Sequence, residues 1–138
     1  MIKDLIGVLH DGGHSLVVAN GDVRTFDGRG VSDLYRLLQE DPCFLCGASV
    51  ADKVAGKAAA SLMVLAKVKE VYADVVSQAA LDLLDNNKIR ITYENLAPYI
   101  INRAGTDLCP LESRCLPCMT PQECLVQIRA FMEEMKTK

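Results

Sequence analysis

Six cysteines in 138 residues are the chain's densest source of chemistry. Cys109 is followed by Pro110, Leu111 and Glu112, and a proline in the first turn marks a helix start. A thiol there faces the positive end of the helix dipole, which lowers its pKa and raises its thiolate fraction. Cys109 is therefore the candidate nucleophile. Glu112, three residues on, is its acid/base or orienting partner. The competing reading of Cys109 is a packed structural thiol. Cys43-Phe44-Leu45-Cys46-Gly47 and Cys115-Leu116-Pro117-Cys118 are two knuckles, each able to aim two thiolates at one metal. Their separation far exceeds the about 15–20 residues of compact zinc modules. The pairs read as reduced thiols, with a four-sulfur metal site from Cys43, Cys46, Cys115 and Cys118, or reversible disulfide formation, as the alternatives. Cys124 reads as a packed or exposed thiol.

The basic and polar candidates lie at helix starts, where ligands of open α/β sheets gather. Lys53 and Lys57 are four apart and would share a helix face. With Asp52 beside them they suggest a pocket for an anion or nucleotide. The competing reading is that both lysines reach the surface or pair with Asp52 and Glu70. Gly56-Lys57 is not a phosphate-binding loop, because the upstream glycine and the following Ser or Thr are missing. Tyr72 and Ser77 bracket a second helix start. His10 and His14 flank Gly12-Gly13 and read as loop histidines.

These side chains need elements to position them. Apolar residues at Ile2, Leu5, Ile6 and Leu9 have helical spacing, ended by Asp11-Gly12-Gly13. Residues 15–19 and 23–26 are β-rich and flank Asn20-Gly21-Asp22, a hairpin signal. A helix then places Val31, Leu34, Tyr35 and Leu38 on one face and stops at Asp41-Pro42. Residues 49–67 read as one central helix, with Ser49 and Asp52 at capping-box spacing and Gly56 in its interior. Residues 68–76 alternate as a strand, Ser77 caps a helix through Leu84, and 89–93 form another strand. Strand, helix, strand implies a parallel pair joined by a right-handed crossover. Residues 98–101 fit either an edge strand or a short helix. Thr120-Pro121-Gln122-Glu123 starts a last helix with Leu125, Ile128, Met132 and Met135 in one stripe. The fold expected is a single α/β domain over 1–138: a three-layer α/β/α sandwich on a mixed sheet with an N-terminal antiparallel hairpin, and a helical extension over about 113–138.

Composition narrows the function. Half of the residues are hydrophobic and 24% are charged, as in a globular protein rather than a disordered one. A net charge of −3 with 5% aromatics and no Trp speaks against a nucleic-acid surface. The N-terminal apolar run is interrupted by Asp4 and does not read as a signal peptide. No stretch approaches the about 20 apolar residues of a membrane span. The expectation is a cytoplasmic protein with reduced thiols.

Three stretches carry a family resemblance: Ala51-Asp52-Lys53-Val54-Ala55-Gly56-Lys57-Ala58-Ala59, Tyr99-Ile100-Ile101-Asn102-Arg103 and Cys109-Pro110-Leu111-Glu112. Gly28-Arg29-Gly30-Val31 and Val71-Tyr72-Ala73 support it. The chain resembles a family of small bacterial proteins of unknown function whose structurally known member has a cytidine-deaminase-like fold. The resemblance runs from the hairpin to Glu112. It implies that fold, and a pocket grouping Asp52, Lys53, Lys57, Tyr72, Ser77, Asn102, Cys109 and Glu112. It does not carry zinc deamination, which needs His-x-Glu and Pro-Cys-x-x-Cys helix starts that this chain lacks. The expectation is therefore a deaminase-like domain without zinc or other cofactor. It binds a small anionic, phosphate-bearing or nucleotide-like molecule, with Cys109 as nucleophile. The alternatives are a ligand-binding or regulatory module without turnover, a metal-binding protein, and an oligomer assembled through the last helix.

Overall fold

The computed structural model describes residues 2–28, 31–101 and 109–136. Its elements are α1 (Ile2–Asp11), β1 (Leu16–Asn20), β2 (Asp22–Phe26), α2 (Ser32–Glu40), α3 (Pro42–Leu45), β3 (Ser49–Ala55), α4 (Lys57–Ala66), β4 (Glu70–Ser77), α5 (Gln78–Asn86), β5 (Arg90–Ala97), α6 (Pro110–Cys115) and α7 (Pro121–Lys136). The strands form one mixed sheet in the order β2-β1-β3-β4-β5. β1 is antiparallel to both β2 and β3, whereas β3, β4 and β5 are parallel. The hairpin turns at Gly21, whose φ of 84° lies in the left-handed region that glycine tolerates.

Alternation along the strands separates two faces. Val17, Ala19, Ala51 and Tyr72 pack on one face against Leu5 and Leu9 of α1. Val18, Val50, Val71 and Ala73 pack on the other, under α4 and α5, with α7 packed on α4. Among the described residues, no helix is long and apolar enough to cross a membrane.

The region expected as one helix over 49–67 divides. Ser49–Ala55 is the central strand β3, and only Lys57–Ala66 is helical. The reason is position in the sheet. A strand covered on both faces carries small apolar residues on both sides, so Val50, Ala51 and Ala55 show no alternation to distinguish them from a buried helix. Gly56 is thus the N-cap of α4 and not an interior residue, and Ser49 and Asp52 form no capping box. Lys53 and Lys57 consequently do not share a helix face. α4 itself is buried on nearly every side, from Ala58 to Met63. Residues 98–101 contribute only a bridge at Ile101.

Candidate functional site

Three chain segments end at one edge of the sheet. β3 runs out at Ala55, while the antiparallel hairpin brings the start of β1 and the end of β2 to the same side. Leu16 pairs with both Phe26 and Asp52, and the Lys53 N–H donates to the Ser15 carbonyl at 3.0 Å. The start of α6 closes over this edge, with the Cys109 N–H donating to the Ile100 carbonyl at 3.0 Å. The result is a cleft of about 620 Å³. It lies outside the carboxyl end of a parallel strand, beside the place where strand direction reverses, which is where open α/β sheets bind ligands.

Asp52, Lys53, Cys109 and Glu112 all line this cleft. Asp52 is half-buried, and its Oδ1 accepts the Val54 N–H at 3.3 Å. Burial pushes its carboxyl from the ordinary 3.8 up to about 7, and the charge of Asp74 adds in the same direction. Lys53 is exposed. Cys109 occupies the N-cap position of α6, with its side chain making no capping hydrogen bond. Glu112 is 5% exposed. Its Oε1 accepts the Lys57 N–H at 2.6 Å and its Oε2 accepts the Ala58 N–H at 3.0 Å. These are donors that the first turn of α4 leaves unpaired. Burial raises the Glu112 pKa against the pull of those two N–H groups. The positive end of α4 is therefore already filled by the chain's own carboxylate.

The remaining candidates lie elsewhere. Lys57 sends its ammonium away from the cleft, donating to the carbonyls of Leu116 at 2.8 Å and Cys118 at 2.6 Å. Tyr72 faces α1, and its hydroxyl donates to Asp74 Oδ1 at 2.6 Å. Burial and that bond raise its pKa. Ser77 caps α5, its hydroxyl accepting the Ala80 N–H at 3.1 Å. Asn102 lies outside the described residues. Cys43 and Cys46 are exposed around α3, whereas Cys115 is buried at the end of α6. Among the described residues, no group of three or more His, Cys, Asp or Glu is arranged to hold a metal, so the two knuckles do not join.

Two lining residues escaped the sequence reading. His14 and Asp27 form one wall, with Nδ1 2.7 Å from Oδ1. The hairpin contained the clue. A tight turn at residue 21 must bring the residues flanking β1 and β2 together at the open end. His10, also read as a loop residue, lies with its Nε2 2.6 Å from Asp74 Oδ1.

A family model described as "TM1506: Domain of unknown function (DUF1893)" matches residues 4–132. The crystal structure of a DUF1893 family protein, TM1506 from Thermotoga maritima, superposes with a TM-score of 0.86 at 23% identity, covering 94% of this chain and 88% of that one. At that identity the likeness carries the fold. Among curated proteins, none matches the chain.

Proposed function

From the premise that the chain belongs to the DUF1893 family, we propose that it is a deaminase-like domain that binds a small nucleotide-like molecule in the cleft at the end of β3 and performs no zinc chemistry. The observation that carries the reading is Asp52, a half-buried carboxyl within the central strand β3, facing a cleft that also holds Cys109. A volume of about 620 Å³ falls within the about 300–1,000 Å³ of small-molecule sites. Perturbed carboxyls gather at such sites. The strand order β2-β1-β3-β4-β5 with an antiparallel hairpin supports the deaminase-like reading.

The ligand's chemistry follows from the lining. Lys53 and His14 are its basic residues, and Asp27, Asp52 and Glu112 its carboxyls. Glu112 is spent on α4. That leaves Asp52 to meet donors of the ligand, such as an amino or amidine edge of a base. Lys53, on the exposed side, meets an anionic group such as a phosphate. Cys109 lies beside them as nucleophile or thiol contact. The donor set does not suit zinc. α4 begins Gly56-Lys57-Ala58 and α5 begins Ser77-Gln78-Ala79, without the histidine and cysteines a zinc deaminase requires at those starts.

Titration of the four ribonucleoside 5′-monophosphates, and of the nucleosides, into the isotope-labelled protein tests the reading. At least one monophosphate should shift the amide signals of residues 52–56 and bind more tightly than its nucleoside. Lys53→Ala should erase that difference. If no monophosphate perturbs these signals at millimolar concentration, the proposal fails.

A further inference from the structure

Three thiols meet where α6 gives way to α7, away from the cleft. Cys115 in α6 and Cys124 in the first turns of α7 are fully buried. Cys118, in the turn between them, is half-exposed and lines a separate surface cleft of about 360 Å³ with Arg114, Pro117 and Glu123. The Cys115 carbonyl oxygen accepts the Cys118 N–H at 3.0 Å and the Cys124 thiol at 3.8 Å, so Cys118 and Cys124 converge on one atom. The Cys118 thiol donates to the Arg114 carbonyl at 3.6 Å. Cys118 thus meets solvent while packing against the buried cluster that holds Cys124.

We propose that Cys118 and Cys124 form a reversible thiol-modification site, at which a hydroperoxide oxidises Cys118 and Cys124 then closes a disulfide with it. A disulfide joins residues whose Cα atoms lie about 4.4–6.8 Å apart, a span suited to two residues that bond the same carbonyl. The surroundings divide the roles: burial raises the Cys118 pKa and keeps it a thiol that needs a base. The hydrogen bond from Cys115 lowers the Cys124 pKa, with Ser61, Cys118 and the Lys57 charge acting in the same sense. Cys124 is therefore the base for its neighbour. The Cys118 sulfur attacks a peroxide oxygen, its proton passes to the Cys124 thiolate, and the O–O bond breaks to leave a sulfenic acid and hydroxide. Cys124 then attacks the Cys118 sulfur. The S–O bond breaks, and the departing hydroxide takes the Cys124 proton as water. In sum, one thiol, one thiolate and one hydrogen peroxide give one disulfide, one water and one hydroxide. The two sulfurs lose two electrons and the peroxide gains them.

Peptide mapping tests this without knowledge of the cleft's ligand. The reduced full chain is treated with equimolar hydrogen peroxide, remaining thiols are alkylated under denaturing conditions, and the protein is cut with trypsin. Cys115, Cys118 and Cys124 fall in one peptide, 115–129, and a second cut after Glu123 separates Cys124 from the others. The fragments 115–123 and 124–129 should stay joined until dithiothreitol is added, with Cys115 alkylated. Cys118→Ser should abolish the link, and a Cys43→Ser, Cys46→Ser double variant should retain it. Six alkylated cysteines, a link from Cys115 instead of Cys118, or chains joined through Cys43 or Cys46 would each overturn the proposal. The wild-type map decides this even if a variant folds poorly.

Discussion

Glu112 lies 55 residues from Lys57 in sequence, yet its carboxylate accepts that residue's backbone N–H at 2.6 Å and the next one at 3.0 Å. The pair docks α6 on the positive end of α4 and so holds Cys109 over the end of β3. Gly56 makes the approach feasible. A Cβ there would collide with the Glu112 carboxyl. The backbone at Gly56 is extended, with φ −98°, so the glycine is required by space and not by conformation.

The first prediction follows from that contact. Glu112→Ala leaves two N–H groups of α4 without their acceptor and should cost about 2–3 kcal/mol. Gly56→Ala restricts the unfolded chain at a backbone conformation that alanine can adopt, a gain of about 0.4–1 kcal/mol. However, the glutamate can yield only by releasing both N–H groups, so the net change should be a loss of about 1–2 kcal/mol. In the Glu112→Ala background the same Gly56→Ala change should become neutral or stabilising. Urea unfolding of the four proteins measures the coupling. Additive costs would show that the two residues do not share one constraint.

The second prediction concerns pH. Asp52 binds its proton more tightly in the folded state, with a pKa of about 7 against the ordinary 3.8. The folded protein thus holds more protons between these values, and stability falls as pH rises from about 4 to 7. The raised Glu112 pKa acts with the same sign. Asp52→Asn should flatten this dependence and, at pH 8, stabilise the protein by on the order of 1 kcal/mol, since the cleft admits water. Carbon-detected titration of the Asp52 carboxyl should show a midpoint near 7. A midpoint near 4 would remove the perturbed carboxyl on which the cleft assignment rests.

Much of this architecture was legible locally. Asn20-Gly21-Asp22 announces the hairpin, and Pro110 and Pro121 each open a helix where expected. The alternation over 68–76 marks β4, which begins at Glu70 and whose neighbours α5 and β5 follow in order. β3 was hidden because its burial on both faces erases the period-2 signal. That one misreading moved Lys57 onto the wrong surface in prospect, since residue spacing means one thing on a helix and another across a strand–helix junction. Cys109 and Glu112 were recognisable at a helix start, whereas Asp52 and Lys53, expected at another, lie within β3. The partner of Glu112 was not, because a helix cap supplied across 55 residues leaves no pattern within any local window.

The two lysines give the third prediction. Lys57 ties the turn at 116–118 to α4 through two carbonyls, so Lys57→Met should destabilise the protein by about 1–2 kcal/mol while leaving monophosphate affinity within about twofold. Lys53→Ala should do the reverse: little change in the unfolding midpoint and at least a fivefold loss of affinity, the size expected of one exposed charge contact of about 1 kcal/mol. Parallel calorimetry and thermal melts separate the two. If Lys57→Met weakens binding as strongly as Lys53→Ala, the cleft assignment is wrong.

The last prediction joins the two faces of the sheet. Asp74 takes the Tyr72 hydroxyl at 2.6 Å and lies against His10 on the α1 side, and its charge also raises the pKa of Asp52 in the cleft. Tyr72 is 4% exposed, so Asp74→Asn keeps an acceptor for its hydroxyl while removing the charge. Tyr72→Phe removes the hydroxyl and keeps the charge. The Asp52 midpoint should therefore move down from about 7 in Asp74→Asn and stay in place in Tyr72→Phe. In Asp74→Ala the buried phenol loses its partner at a cost of about 1–3 kcal/mol, of which Tyr72→Phe in the same chain should recover part. A midpoint that shifts equally in Tyr72→Phe and Asp74→Asn would mean that repacking under α1, and not the Asp74 charge, sets the acidity of the cleft.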